Sequence, residues 1–249
     1  KNSPGEVGFI NSSTRKFVKI SECLLMNRKI NSILSEIQDN MDGFSQVSIR
    51  GSDKTDSFLV QPNLAEKEFS FESGQTHYLE KIFDRQYNVA SPSFFQVNTT
   101  QAENLGKIVK DLLKLRGNEV LIDAFSGVGT FAVLLSQYVK KIYGIESSHS
   151  SINDAIYNSK AIQNIEFIHS DVESIEPDIF KEHIDAVILD PSRKGVHNTA
   201  LEWIEKLLPN QIIYVSCELK TLKRDLNKLT NNYSIRKVIP VDIFPHTNH

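Results

Sequence analysis

Residues 120–130 read Val120-Leu121-Ile122-Asp123-Ala124-Phe125-Ser126-Gly127-Val128-Gly129-Thr130. The run Val120-Leu121-Ile122 suits a strand covered on both faces. Asp123 to Gly129 then forms a glycine-containing turn, and a helix is predicted over 130–138. Such a turn lets a ligand approach the backbone, and the helix N-terminus behind it favours polar or anionic groups. Glu146 closes the next predicted strand, 22 residues after Ala124. That is the separation at which an acidic side chain takes a ribose hydroxyl pair. The pattern is only G-x-G, because Ala132 stands three positions after Gly129. Two glycines alone equally describe a tight turn; Glu146 in register moves the balance to an adenosine-type ligand.

Outward from this stretch the rhythm is regular. A helix is predicted over 100–115, strands over 141–145, 165–168, 186–189 and 211–215, and a helix over 148–161. Short apolar strands alternating with helices imply an α/β domain with a doubly wound, mostly parallel sheet. The first ninety residues read differently, as a small α+β domain. Strands are predicted at 8–10 and 16–20 around the polar turn 11–14, with others at 46–50 and 57–60 and a hairpin over 78–89. Leu24, Leu25, Ile30, Ile33, Leu34 and Ile37 fall at helical spacing, predicting a helix over 24–38. A small antiparallel sheet with one helix fits this part. The boundary is placed near Ala90-Ser91-Pro92, giving domains 1–90 and 91–249.

Composition narrows the class. The 249 residues carry 28 Lys+Arg against 31 Asp+Glu, a formal charge of −3, and are 40% apolar. This balance excludes disorder, collagen and coiled coil. No apolar run reaches the ~20 residues of a membrane span and no signal-peptide pattern opens the chain, so a cytoplasmic protein without a membrane partner is expected. Cys23 and Cys217 cannot make a disulfide framework or a four-ligand zinc site, so neither a metal nor an iron–sulfur cluster is expected.

Two further motifs follow strand ends. Asp190-Pro191-Ser192-Arg193-Lys194-Gly195 leaves the strand 186–189, where such sheets bind ligands. Arg193 and Lys194 supply phosphate-matching charge, although the segment also reads as a solvated turn. Cys217 follows the strand 211–215 and precedes a helix. A lone cysteine is commonly a small buried hydrophobe. Here the helix N-terminus and Lys220, Lys223 and Arg224 favour a reactive thiolate. Cys23 has no such setting and is read as structural. Between Tyr214 and His249 six basic residues face three acidic ones. This local excess suits a polyanion, or is simply a solvated helix face.

Five segments, in order, carry a resemblance: Ser91–Asn98 (Ser-Pro-Ser-Phe-Phe-Gln-Val-Asn), Asp123–Thr130, Asp190–Gly195, Val215-Ser216-Cys217 and Val241–His249. Together they resemble the RNA uracil-5-methyltransferases, which make 5-methyluridine in tRNA and rRNA with S-adenosylmethionine. The resemblance covers the catalytic half and extends loosely over residues 1–90, which look like that family's RNA-contacting domain. It implies a Rossmann-like S-adenosylmethionine-dependent methyltransferase domain and an rRNA or tRNA partner; a monomer is expected. Gln96 matches a cofactor-contacting glutamine. Phe125, Gly127, Gly129 and Thr130 fall on cofactor-lining positions of the turn. Glu146 would hold the ribose hydroxyls, Asp171 would lie near the adenine and Asp190 near the methionine end. Cys217 matches the nucleophile, and Phe95, Asn98, Arg193 and Lys194 fall on the substrate side.

The implied chemistry stands on its own terms. Thiolate addition at C6 makes uracil C5 nucleophilic, a base removes the C5 proton after methylation, and elimination frees the thiol. The base must leave its stack, so a loop or flipped nucleotide is the expected target. Ser192 stands where the family reads a second proline, and Thr130 where asparagine is frequent. The family's proton-abstracting glutamate comes two residues past the position matched by His249. The chain is therefore expected to be cut at both ends and to lack that base as given. An RNA-binding module keeping the fold without catalysis is the alternative reading. A dinucleotide-dependent oxidoreductase is disfavoured by the incomplete glycine pattern and the absence of a second nucleotide-binding half.

Overall fold

The computed structural model describes residues 4–244. The chain divides into two compact units, one running to Lys81 and including Gln86–Ser91, the other taking Ile82–Arg85 and everything from Pro92 onward. In the first unit β1 (Gly8–Ile10) pairs with β2 (Phe17–Lys19), β3 (Ser48–Gly51) with β4 (Phe58–Gln61), and β5 (His77–Ile82) with β6 (Arg85–Ala90). Where the sequence suggested one small sheet, the described strands form three separate two-stranded ladders. Side chains occupy the edges instead. Ser57 Oγ accepts from the Leu79 N–H (2.9 Å), Thr55 Oγ1 donates to the Leu79 carbonyl (2.6 Å), and Gln75 Oε1 accepts from the Val60 N–H (3.0 Å). Backbone groups satisfied in this way no longer require a neighbouring strand.

The helix predicted over 24–38 is α1, Arg28–Ile37. Asn27 caps it by accepting from the Ile30 N–H (2.8 Å), which fixes its start and leaves Leu24 and Leu25 outside and exposed. Ile33 and Ile37 pack with Met41, Val60 and Leu64 as this unit's core.

The second unit is built on β7 (Val120–Ala124), β8 (Lys141–Glu146), β9 (Ile165–His169), β10 (Ala186–Leu189) and β11 (Gln211–Tyr214). They lie in the order β11-β10-β7-β8-β9, and every pairing is parallel. The chain starts in the centre, winds outward to β9, then returns to build β10 and β11 on the other side. The winding direction therefore reverses between β7 and β10, the place where open α/β sheets hold ligands. Connecting helices are α2 (Thr99–Leu113), α3 (Thr130–Leu135, prolonged by a 3-10 turn, Ser136–Tyr138), α4 (His149–Asn158), α5 (Asn198–Leu207) and α6 (Leu219–Leu229).

Alternation along the strands divides the core. Val120, Ile122, Val187, Leu189 and Ile145 face a cluster with Ala200, Leu201, Trp203 and Ile204 of α5. Leu121, Ala186, Ile188 and Ile142 face Leu105, Val109, Phe131 and Leu135 of α2 and α3. The sheet is thus covered on both sides, as the apolar strands require. Two details depart from the sequence reading. The central strand runs on through Asp123 and Ala124, so the aspartate lies within the strand and not in the turn. Helix α5, absent from the sequence reading although Ala200, Leu201, Trp203, Ile204 and Leu207 fall at helical spacing, fills the crossover between β10 and β11.

Candidate functional site

Parallel pairing brings all five strand ends to one edge. In register, Ala124 faces Leu189 and Ile145, Leu189 faces Tyr214, and Glu146 faces His169. The residues that follow these ends therefore line one edge of the sheet. They are the glycine turn after β7, Glu146 at the end of β8, Asp171 just beyond β9, Asp190 after β10 and Cys217 after β11.

The turn combines openness with constraint. Phe125, Gly127 and Gly129 have positive φ (67°, 55° and 84°), and Phe125 adopts this left-handed conformation despite its side chain. A methyl group on Gly127 would meet nothing within 4 Å, so the backbone is bare to an approaching ligand. Gly129 does something else. A methyl there would stand 2.9 Å from Phe167 Cζ and 3.3 Å from Ala155 Cβ, so this glycine permits close packing of the helix start. Thr130 is the first residue of α3.

Glu146 ties the turn to its own strand. Oε2 accepts from the Gly127 N–H (2.9 Å) and Oε1 from the Ser148 N–H (2.7 Å). A carboxylate has about four acceptor positions, so two remain for hydroxyl donors. Asp171 is exposed at the start of a 3-10 turn, Val172–Ser174.

Beneath the turn lies Asp123, fully buried. Its Oδ2 accepts from the Ala132 N–H (3.0 Å), while Oδ1 and the nearby Ser126 Oγ are buried without a hydrogen-bond partner. Burial pushes the Asp123 carboxyl up to about 8, with the charges of Asp190 and Glu146 adding to the rise. Burial alone pushes Asp190 up to about 7. Two desolvated carboxyls, with the Glu146 charge close enough to add to the rise at Asp123, favour a cation, which would draw them ionised, over an anion. Unpartnered buried polar atoms are rare, and these two lie directly under the glycine turn.

Cys217 is exposed, which sets aside the buried-hydrophobe reading; Cys23 is half-buried. Ser216 Oγ accepts from the Glu218 N–H (3.2 Å), and Glu218 caps α6 by accepting from the Lys220 N–H (3.1 Å). The thiol therefore stands on a short bend between a strand end and a helix N-terminus. Lys220 and Lys223 are exposed on α6. Arg224, expected among the cations around the thiol, instead pairs with Asp225 (2.7 Å) and donates to the Lys194 and Val196 carbonyls.

The segment 91–98 distributes its residues differently from expectation. Phe95 is turned inward at 5% exposure, while Phe94, which the sequence reading passed over, is 67% exposed. Gln96 is half-buried beside them. Asn98 caps α2 by accepting from the Gln101 N–H (3.1 Å) and donates to the Ile243 carbonyl (3.0 Å), so both ends of its amide are engaged within the protein. Arg193 and Lys194 are exposed on the turn after Asp190. Pro245–His249, the end of the fifth motif and the reference point from which the position of the base was counted, lie outside the described residues. Among the described residues no helix is long and apolar enough to cross a membrane, and no three His, Cys, Asp or Glu side chains cluster as metal ligands.

A family model described as tRNA (Uracil-5-)-methyltransferase matches residues 63–249. An uncharacterized RNA methyltransferase of Nanoarchaeum equitans is 42% identical over 193 residues, 77% of this chain and 42% of that protein. One from Clostridium tetani is 38% identical over 181 residues, 71% of this chain and 39% of the relative. The chain therefore spans less than half the length of these relatives. Among solved structures, the tRNA (uracil-54, C5)-methyltransferase of Pyrococcus abyssi, in complex with S-adenosyl-L-homocysteine, superposes with a TM-score of 0.74 at 27% identity. That match covers 93% of this chain and 68% of the other.

Proposed function

The chain belongs to the tRNA (uracil-5-)-methyltransferase family, and from that premise we propose that it methylates C5 of a uridine in tRNA or rRNA through a covalent adduct between Cys217 and C6. The observation that carries this reading is the exposed Cys217 at the sheet edge where the open glycine turn, Glu146 and Asp190 also end.

S-adenosylmethionine, when bound, supplies an electrophilic methyl group on a positively charged sulfur. The site suits it on this chain's own evidence. The carboxyls of Asp123, Asp190 and Glu146 favour a cationic ligand and oppose the pyrophosphate of a dinucleotide. Buried, unpartnered Asp123 Oδ1 and Ser126 Oγ await donors or an ordered water. We assign Glu146 to the ribose hydroxyls, Gly127 and Phe125 to the open floor, and Thr130 to the helix start. Gln96, Asp171 and Asp190 complete the contacts, and Gly129 serves by packing.

On the RNA side, Cys217 as thiolate forms the S–C6 bond and pushes the uracil π electrons toward C5 and O4. C5 thereby becomes the nucleophile. After methylation the C5 proton leaves to a base, and the returning electron pair expels the thiolate. The exposed ring of Phe94 offers a stacking surface for an unstacked base, and Arg193 and Lys194 offer charge for phosphates.

Transcripts of tRNA containing 5-fluorouridine test the assignment, because fluorine at C5 blocks proton loss and traps the adduct. With S-adenosylmethionine present, a denaturation-stable protein–RNA band should form with the unsubstituted protein and with Cys23→Ser, and be absent with Cys217→Ala. A band that survives Cys217→Ala removes the assigned nucleophile.

A further inference from the structure

A group outside the cofactor turn connects the two halves of the proposed chemistry. Asp225 of α6 is 1% exposed. Its Oδ2 accepts from the Tyr214 hydroxyl (2.7 Å) and from the Val196 N–H (2.8 Å), and its Oδ1 pairs with Arg224 Nε (2.7 Å). The Arg224 guanidinium reaches on to the carbonyls of Lys194 (3.0 Å) and Val196 (3.2 Å). Gly195, with φ of +72°, passes so near that a methyl there would stand 2.5 Å from Asp225 Oδ2 and 2.6 Å from Arg224 Nη2.

The placement of these groups along the chain matters. Tyr214 is the last residue of β11, three before the thiol, and α6 begins two residues after it. Both ends of the bend that carries Cys217 are therefore anchored at one buried carboxylate. The same carboxylate holds the far end of the loop that begins at Asp190. Resting on the methyl-transfer reading above, we propose that Asp225 is a positioning residue. With Arg224 and Tyr214 it sets where the Cys217 thiol stands relative to the Asp190 loop. It touches neither substrate nor cofactor and acts through the two segments it joins.

Three variants of the protein test this: Tyr214→Phe, which keeps the ring, Asp225→Asn, and Arg224→Lys, which keeps a donor. Hydrogen exchange read by mass spectrometry should rise about tenfold in 190–196 and 215–218 together for the first two, with β7 unchanged. Affinity for S-adenosylhomocysteine by calorimetry should stay within about threefold, because the glycine turn and Glu146 are untouched and only the Asp190 contact is loosened. The adduct rate at saturating 5-fluorouridine transcript should fall about tenfold for the first two, with the half-saturating RNA concentration within about threefold, and Arg224→Lys, which keeps one donor, should lose less. Loosening of one segment only, or of both with an unchanged adduct rate, overturns the proposal. A fall explained entirely by weaker RNA binding overturns it as well. If the unsubstituted protein forms no adduct, the proposed reaction has failed, and the exchange data alone decide whether Asp225 holds the two segments as one unit. If Asp225→Asn does not fold, Tyr214→Phe, which removes a single hydroxyl, carries the decision.

Discussion

Asp123 stands where a sheet covered on both faces would ordinarily keep an apolar side chain, and it is fully buried. Desolvation pushes its carboxyl from an ordinary 3.8 up to about 8. Across that interval the folded protein keeps a proton that the unfolded chain has already lost. Its contribution to stability is therefore complete below about 4 and is lost as pH rises through about 8. Asp123→Asn keeps an oxygen for the Ala132 N–H and does not titrate. Its melting temperature should be flatter between pH 5 and 8 and higher than wild type at pH 8, by about 2–4 °C for each kcal/mol regained. Scanning calorimetry through that range decides; identical pH profiles would refute the account. A bound cation acts on the same pair in the other direction, favouring ionised Asp123 and Asp190. S-adenosylmethionine should accordingly bind about tenfold more tightly at pH 8.5 than at pH 6.5 and release protons on binding. Titration calorimetry in buffers of different ionisation enthalpy counts those protons, and zero release at pH 7 would exclude the linkage. The glycine turn, Glu146, Asp190 and Cys217 were legible as a group because each is defined by its distance from a predicted strand end. The choice between Phe94 and Phe95 was not, since 91–98 has no periodicity to say which ring turns inward. Asp225 was hidden for the opposite reason: in a basic amphipathic helix, one acid reads as ordinary surface charge.

At the scale of elements, Gly129 shows how one position serves both sheet and turn. Its φ of +84° and its 2.9 Å approach to Phe167 Cζ leave no room for a side chain. Gly129→Ala should destabilise the second unit by about 2–4 kcal/mol through strain and overpacking combined. Gly127→Ala, with open space above the Cα, should cost only the backbone term of about 1 kcal/mol and act mainly on cofactor affinity. Urea unfolding of the two variants separates these; equal losses would contradict the different roles. The same logic explains which elements could be read beforehand. The five strands of the second unit are short apolar runs buried on both sides, and their signal survives without context. Helix α5 went unread because its cap is His197, a residue outside the usual capping set, so no start signal marks it. The antiparallel part was read as one sheet because strand periodicity does not reveal edges. Ser57, Thr55 and Gln75 close those edges with side chains, and nothing in local hydropathy reports that.

For the molecule as a whole, a net charge of −3 means that any grip on RNA phosphates must be local. The element best placed for it is α6. Lys220, Lys223, Arg224 and Asn227 are all exposed at helical spacing, with Asp225 and Leu229 buried on the opposite side. Arg224 is occupied with the Asp225 pair and the 194–196 carbonyls, and Lys228 pairs with Glu202 at 3.3 Å, so the cations left for phosphate are Lys220 and Lys223. A cation that contacts a phosphate displaces counterions, and the slope of log Kd against log salt counts such contacts at about 0.7 each for single strands. Replacing both lysines by glutamine should therefore reduce that slope by about 1.4 for an unmodified tRNA transcript. Kd near 0.1 M salt should rise about tenfold while affinity for S-adenosylhomocysteine is unchanged. The Cys23→Ser protein, altered far from this helix in the chain, should keep the parent slope. Fluorescence anisotropy from 50 to 300 mM salt measures it. An unchanged slope in the double variant would mean that α6 is a solvated face and that the phosphate contacts lie elsewhere, first of all at Arg193 and Lys194.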